Sequence, residues 1–145
     1  MPIFASPALT WVALVAGVGA TTATFTDRAE TARGDLWGLV LMMALDIQML
    51  LGLLLYLVLS PFTIEAMRDF SAAMKNPALR FFAVEHVSLM FVAVVLVHVG
   101  RVLARKAAPD ARRLRLLLCF GLATLLMILA MPWPGMAGGR SLFRI

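Results

Sequence analysis

The sequence predicts an all-α integral membrane protein, a bundle of four spanning helices with a short amphipathic surface helix between the second and third. Three observations lead there. Apolar residues make up 62% of the 145 and charged residues only 14%, and the mean hydropathy of +0.93 lies well outside the range of soluble globular domains. The apolar residues gather into four long runs, residues 7–25, 36–60, 81–103 and 114–131, each of the length that crosses a bilayer as a helix. In hydrocarbon every backbone N–H and C=O must be satisfied within the segment, and runs this long are not barrel strands. Residues 1–145 read as a single membrane domain, with no internal repeat and no room for a separate soluble unit.

Each element has its own punctuation. The first span follows Ser6-Pro7, a capping side chain before a proline at the first helical position. Met1-Pro-Ile-Phe-Ala-Ser has no basic region to orient a secretory signal, so the run is expected to remain as a helix. Its small residues Ala13, Gly17 and Thr21, flanked by Ala16, Ala20 and Thr24, recur every four positions and predict a face for close helix packing. Asp35 is the expected cap of the second span and Pro61 its stop. In the following PFTIEAMRDFSAAMKN, Ile64, Met67, Phe70 and Met74 fall on one stripe opposite Glu65, Arg68, Asp69 and Lys75, the pattern of a helix lying on the membrane surface. Asn76-Pro77 opens the approach to the third span, Pro132 ends the fourth, and the tail MPWPGMAGGRSLFRI reads as extended.

Lysines and arginines set the orientation. The N-terminus, second loop and C-terminus share one side with Arg68, Lys75, Arg80, Arg140 and Arg144. The other side carries Arg28, Arg33, Arg101, Arg105, Lys106, Arg112, Arg113 and Arg115. The richer side should be cytoplasmic, which puts both termini outside. Trp11 and Trp133 fall at the outer ends of the first and fourth spans and Trp37 at the inner end of the second, as in an aromatic belt. The net charge of +5 is explained by a basic loop, RVLARKAAPDARRLR, against anionic lipid and calls for no nucleic acid.

The polar residues inside the spans are the candidate sites. Asp46 falls near the bilayer centre, the costliest depth for a carboxylate, with Gln48 close by. Glu85 and His86 fall on the outer side of the third span and His98 on the inner side. The two histidines are about 18 Å apart along the helix and cannot hold the same metal or haem iron. For Glu85 and His86 the structural reading is a hydrogen-bonded pair joined by Tyr56; for His98 it is an interfacial imidazole beside Arg101. Asp46 has two readings. In one it is a neutral acid bonded to a threonine or carbonyl of the first helix, since burial disfavours the charged form. In the other it accepts from a ring nitrogen of His98 and fixes the tautomer that frees the other nitrogen for a metal. Met90 lies one turn from His86 on the same face; most of the ten methionines must be packing.

The order LDIQMLLGLLLY, then AMKNPALRFFAVEHVSLM, then MPWPG resembles the small bacterial four-helix membrane proteins labelled cytochrome-b-like. The resemblance spans most of the chain and keeps its match at His86; it implies a bacterial cytoplasmic membrane protein and a b-type haem on His86 or His98, with a methionine such as Met90, the other histidine of a second copy, or no protein group as the second ligand. The family's histidines early in the first helix and at the position of Asp46 are absent here, which removes the expected partners for two-histidine ligation.

Cys119 is a lone thiol, and no phosphate loop, nucleophile triad or zinc spacing occurs. Asp46 and Glu85 lie at different depths and do not form a catalytic pair, so no enzyme is expected. Three classes remain: an accessory subunit of an electron-transfer complex, partnered by other membrane subunits or by copies of itself, a haem-binding electron carrier, and a small-solute or proton transporter.

Overall fold

The computed structural model describes residues 7–26 and 32–135, and among these every regular element is helical. The order is α1 (Pro7–Phe25), α2 (Ala32–Leu54) continued by a π turn (Leu55–Leu59), α3 (Pro61–Arg68), α4 (Phe70–Lys75), α5 (Pro77–Arg80), a second π turn (Phe81–Glu85), α6 (His86–Arg105) and α7 (Pro109–Ala130). Three helical stretches, Asp35–Val58, Pro77–Arg105 and Pro109–Ala130, are long and apolar enough to cross a membrane; the apolar stretch Leu9–Phe25 of α1 is shorter.

The four long helices pack side by side in chain order, with α1 against α2 and α7, and α6 against α7 and α2. Side-chain pairs show the directions. On α1 and α7, Gly17 meets Thr124, Thr21 meets Gly121, and Arg113 bonds the carbonyl of Phe25, so residue numbers rise on one helix as they fall on the other. The same reversal relates α6 to α7 through Gly100 with Cys119 and His86 with Ala130. It relates α1 to α2 through Gly19 with Trp37 and Thr10 with Gln48. Neighbours are antiparallel all the way round.

Small residues hold the helices close, as the four-residue spacing on α1 predicts. Ala13, Ala16, Ala20 and Thr24 are buried. A methyl group on Gly17 would stand 2.6 Å from the Thr124 hydroxyl, and one on Gly100 would stand 2.5 Å from the Cys119 Cβ. The hydroxyls on these faces are satisfied within their own helices, Thr24 by Ala20 O, Thr21 by Gly17 O and Thr124 by Phe120 O, so they add no polar link between helices. Outside the core the surface is apolar. Val15 and Val18 on α1, Met43 and Leu50 on α2, Val99 and Val102 on α6, and Leu118 and Leu129 on α7 are all exposed, the reverse of a protein that meets water on all sides.

Several boundaries depart from the sequence expectation. α7 begins at Pro109, not near Leu114, and α6 runs to Arg105, so the third connection is a tight turn through Lys106–Ala108. The basic residues expected in a loop sit on helix ends, where Arg113 and Arg115 cap the carbonyls of Phe25 and Leu103. α2 starts at Ala32, which puts Asp35 in its first turn instead of at its cap; the Asp35 carboxylate meets Arg101 at 3.3 Å. The expected cap Ser6 lies outside the described residues.

The single surface helix is three pieces, because Asp69 leaves helical geometry and accepts from the N–H of Ala72 to start α4. Asn76 restarts the chain in the expected way, its side chain accepting from Ala78 and Leu79 N–H groups. The face turned to the protein consists of Thr63, Ala66, Ala73 and Leu79, while Ile64, Met67 and Phe70 remain exposed.

Candidate functional site

The polar residues inside the long helices separate into three places. In the seam between α2 and α6, His98 Nε2 lies 3.4 Å from Asp46 Oδ2, with 45% and 40% of the two side chains exposed. Side chains lean toward the N-terminus of their own helix, so on antiparallel helices an Asp46 and a His98 offset in depth lean toward each other. The other ring nitrogen, Nδ1, is 3.0 Å from Val94 O. A carbonyl can only accept, so Nδ1 carries a hydrogen. Asp46 Oδ2 lies 3.4 Å from the other nitrogen, Nε2, a contact at ion-pair distance on a half-exposed surface. The nitrogen that the sequence reading left free for a metal, with Asp46 on the other, is the one that Val94 O occupies. Asp46 lies against His98 and, among the described residues, bonds no group of the first helix. It is Gln48 that reaches the first helix, donating to Thr10 Oγ1 at 3.4 Å.

At the opposite end of the bundle the Glu85–His86 pair does not form. Glu85 takes Arg80 at 2.7 Å on an open surface, five residues back across the Phe81–Glu85 π turn. His86 Nδ1 lies 2.7 Å from Ala130 O and caps the C-terminus of α7. Trp133 Nε1 does the same for Ile128 O at 2.8 Å. Tyr56, in the first π turn, donates to Ala83 O in the second at 2.8 Å and ties the two irregular turns together. The rings of Phe81 and Phe82 stand 6.1 and 6.4 Å from the imidazole of His86. With Nδ1 donating to a carbonyl, Nε2 of His86 is left as an acceptor. Met90, on the same face one turn on, is buried in the core.

These positions test the haem expectation on chemistry alone. His86 and His98 are too far apart along α6 to share one iron, and Met90 lies on the same face as His86 one turn on, so these three residues do not supply the two opposite axial ligands of a single haem. No three His, Cys, Asp or Glu side chains come together as a metal set among the described residues. Cys119 faces Gly100 between α6 and α7.

The third place was not singled out as a site by sequence reading. At the basic end a cavity of about 40 Å³ is lined by Asp35, Arg101, Arg105, Arg112, Leu116 and Phe120, among others. Its arginines stand out in the sequence only as part of a charge run, which by itself reads as a membrane-facing loop.

The fold and these sites define a class: an all-helical chain with three helices of membrane-spanning length and its polar groups at the seams. Compared with protein-family models, curated proteins and solved structures, the chain gives no match, so a function has to be argued from its own residues.

Proposed function

We propose that the chain is a multi-pass protein of the bacterial cytoplasmic membrane, crossing it four times with both termini outside. In this reading it serves as an accessory or structural subunit of a respiratory or photosynthetic electron-transfer complex and has no active site of its own. The observation that carries the subunit reading is the exposure of the Asp46–His98 pair. It sits on the outside of the α2–α6 seam, flanked one turn away by the exposed apolar side chains Met43, Leu50, Val95 and Val102. A pair that polar facing hydrocarbon costs a few kcal/mol, and a helix of another subunit or a second copy laid over the seam removes that cost. The electron-transfer assignment follows from the cytochrome-b-like resemblance. The four-span topology is supported by the antiparallel packing of α1 with α2 and α7 and by the arginines at the ends of α6 and α7 that meet across their turn.

The reading is tested by the mass of the protein extracted from its own membrane in a mild detergent, measured by light scattering. A particle carrying other chains or several copies is expected; a single chain in detergent would remove the subunit reading. Labelling a cysteine placed at Ala107 with an impermeant reagent checks the topology, and modification from the outside would invert it.

A haem bound through His86 is the second reading, favoured by one observation: a ring held by Ala130 O with its other nitrogen unused is oriented as metal-ligating imidazoles are. A reduced-minus-oxidised spectrum decides it, since Soret and α bands that vanish in His86→Ala would establish it and a flat spectrum would end it. Transport has only the proximity of Asp46 and His98 in its favour.

A further inference from the structure

We propose that the cavity at the basic end is a binding site for a phosphate group, supplied by the headgroup of an anionic phospholipid or by free phosphate. The cavity is bounded by three guanidinium groups, Arg101, Arg105 and Arg112, against the single carboxylate of Asp35, and it is floored by the buried side chains of Leu116 and Phe120. Two cations are left over after the Arg101 to Asp35 contact.

The arginines of this end are employed unequally. Arg113 and Arg115 each donate to a helix-end carbonyl. Arg105 and Arg112 have no acceptor among the described residues, and the Nε atoms of Arg101 and Arg112 are buried without one. Arg101 itself is only 14% exposed. Buried guanidinium N–H groups without acceptors are costly, and a phosphate oxygen is the acceptor that matches their planar fork. A space of about 40 Å³ holds about three waters or the oxygens of one phosphate. The site opens at the end of the bundle where α6 turns into α7, at the level expected for lipid headgroups on the cytoplasmic side. The headgroup placement rests on the topology proposed above, whereas the cavity itself does not depend on whether the Asp46–His98 pair is covered.

The test is thermal unfolding of the full-length protein in a neutral detergent, with phosphatidylglycerol, phosphatidylcholine or inorganic phosphate added. Phosphatidylglycerol is expected to raise Tm by about 5 °C over phosphatidylcholine through preferential binding to the folded state. An equal rise with inorganic phosphate would assign the site to the free anion, and a rise with phosphatidylglycerol alone would assign it to lipid. The double variant R105Q/R112Q should lose the rise, while K106Q, which removes an exposed charge from the same turn but does not line the cavity, should keep it. Equal responses to phosphatidylglycerol and phosphatidylcholine with none to phosphate would overturn the proposal, as would loss of the rise in K106Q. Absence of any anion response would overturn it too. Should R105Q/R112Q fail to fold, the wild-type arms still decide whether a phosphate group is bound.

Discussion

The side of the bundle where α7 packs between α1 and α6 and the seam between α2 and α6 solve the same problem in opposite ways. Around α7, helices approach through glycine, alanine and threonine, and among the described residues the buried hydroxyls Thr24 and Thr124 are spent inside their own helices while polar contacts between helices, such as His86 with Ala130 O, fall at the ends. The α2–α6 contact is the thinnest of the four between neighbouring long helices. It is spanned by Asp35 with Arg101 and Asp46 with His98, with apolar side chains exposed around the second pair. Close packing gives stability in lipid because dispersion contacts and backbone approach replace the missing hydrophobic effect. A seam that leaves a carboxylate and an imidazole half open is not optimised for that, and it is suited to being completed by something else.

The sharpest way to break the contrast is to spoil the tight side. Gly100→Ala sets a methyl group against Cys119 Cβ, the root of a side chain that cannot swing aside, and should cost about 3 kcal/mol by overpacking, read as a large fall in detergent Tm. Gly17→Ala drives a methyl group into the Thr124 hydroxyl and should cost about 2 kcal/mol. Thr124→Ala in the same chain should restore most of the loss. If either glycine tolerates alanine, the two sides do not differ in packing.

His86→Ala removes the donor from Ala130 O and should cost about 1 kcal/mol, with local loss of amide protection at the end of α7. No change in protection there would mean that the carbonyl is served by something other than His86.

The smallest effect belongs to the open seam. Asp46→Leu should lower the stability of the isolated bundle by only about 0.6 kcal/mol, the average for a hydrogen bond between membrane helices. Asp46→Asn should lower it less, because an amide N–H can still donate to Nε2 of a neutral His98. Asn as damaging as Leu would show that the charged form of the pair is the one the bundle holds.

Much of this was legible in the sequence. The residues 7–25 and the stop at Pro132 agree with α1 and the end of α7, because apolar runs and prolines act locally. The small-residue face of α1 was legible for the same reason, spacing alone placing it on one side. The proximity of Asp46 to His98 could be anticipated from depth. Other features were not legible, for identifiable reasons. Hydropathy marks where a chain meets lipid and not where a helix ends, so the basic first turns of α7 looked like loop. Acceptors such as Ala130 O and Val94 O are backbone groups with no sequence signature, and they decide which nitrogen each histidine has left. Glu85 meets Arg80 across one of the two π turns joined by Tyr56 and Ala83, and a regular helical wheel cannot foresee that. The arginine cavity requires three residues from α6 and α7 to meet across a turn far tighter than the loop the sequence suggested.

The central claim is that another protein surface lies over the α2–α6 seam and not over the outer face of α7. Photo-crosslinking in the native membrane tests it directly, with a photoreactive residue at Leu50 on α2, beside Asp46, and in a separate chain at Leu118 on α7; both positions are exposed. A discrete protein adduct from Leu50, with lipid adducts alone from Leu118, is the predicted result. Lipid adducts alone from Leu50 would leave the Asp46–His98 pair facing hydrocarbon and contradict it.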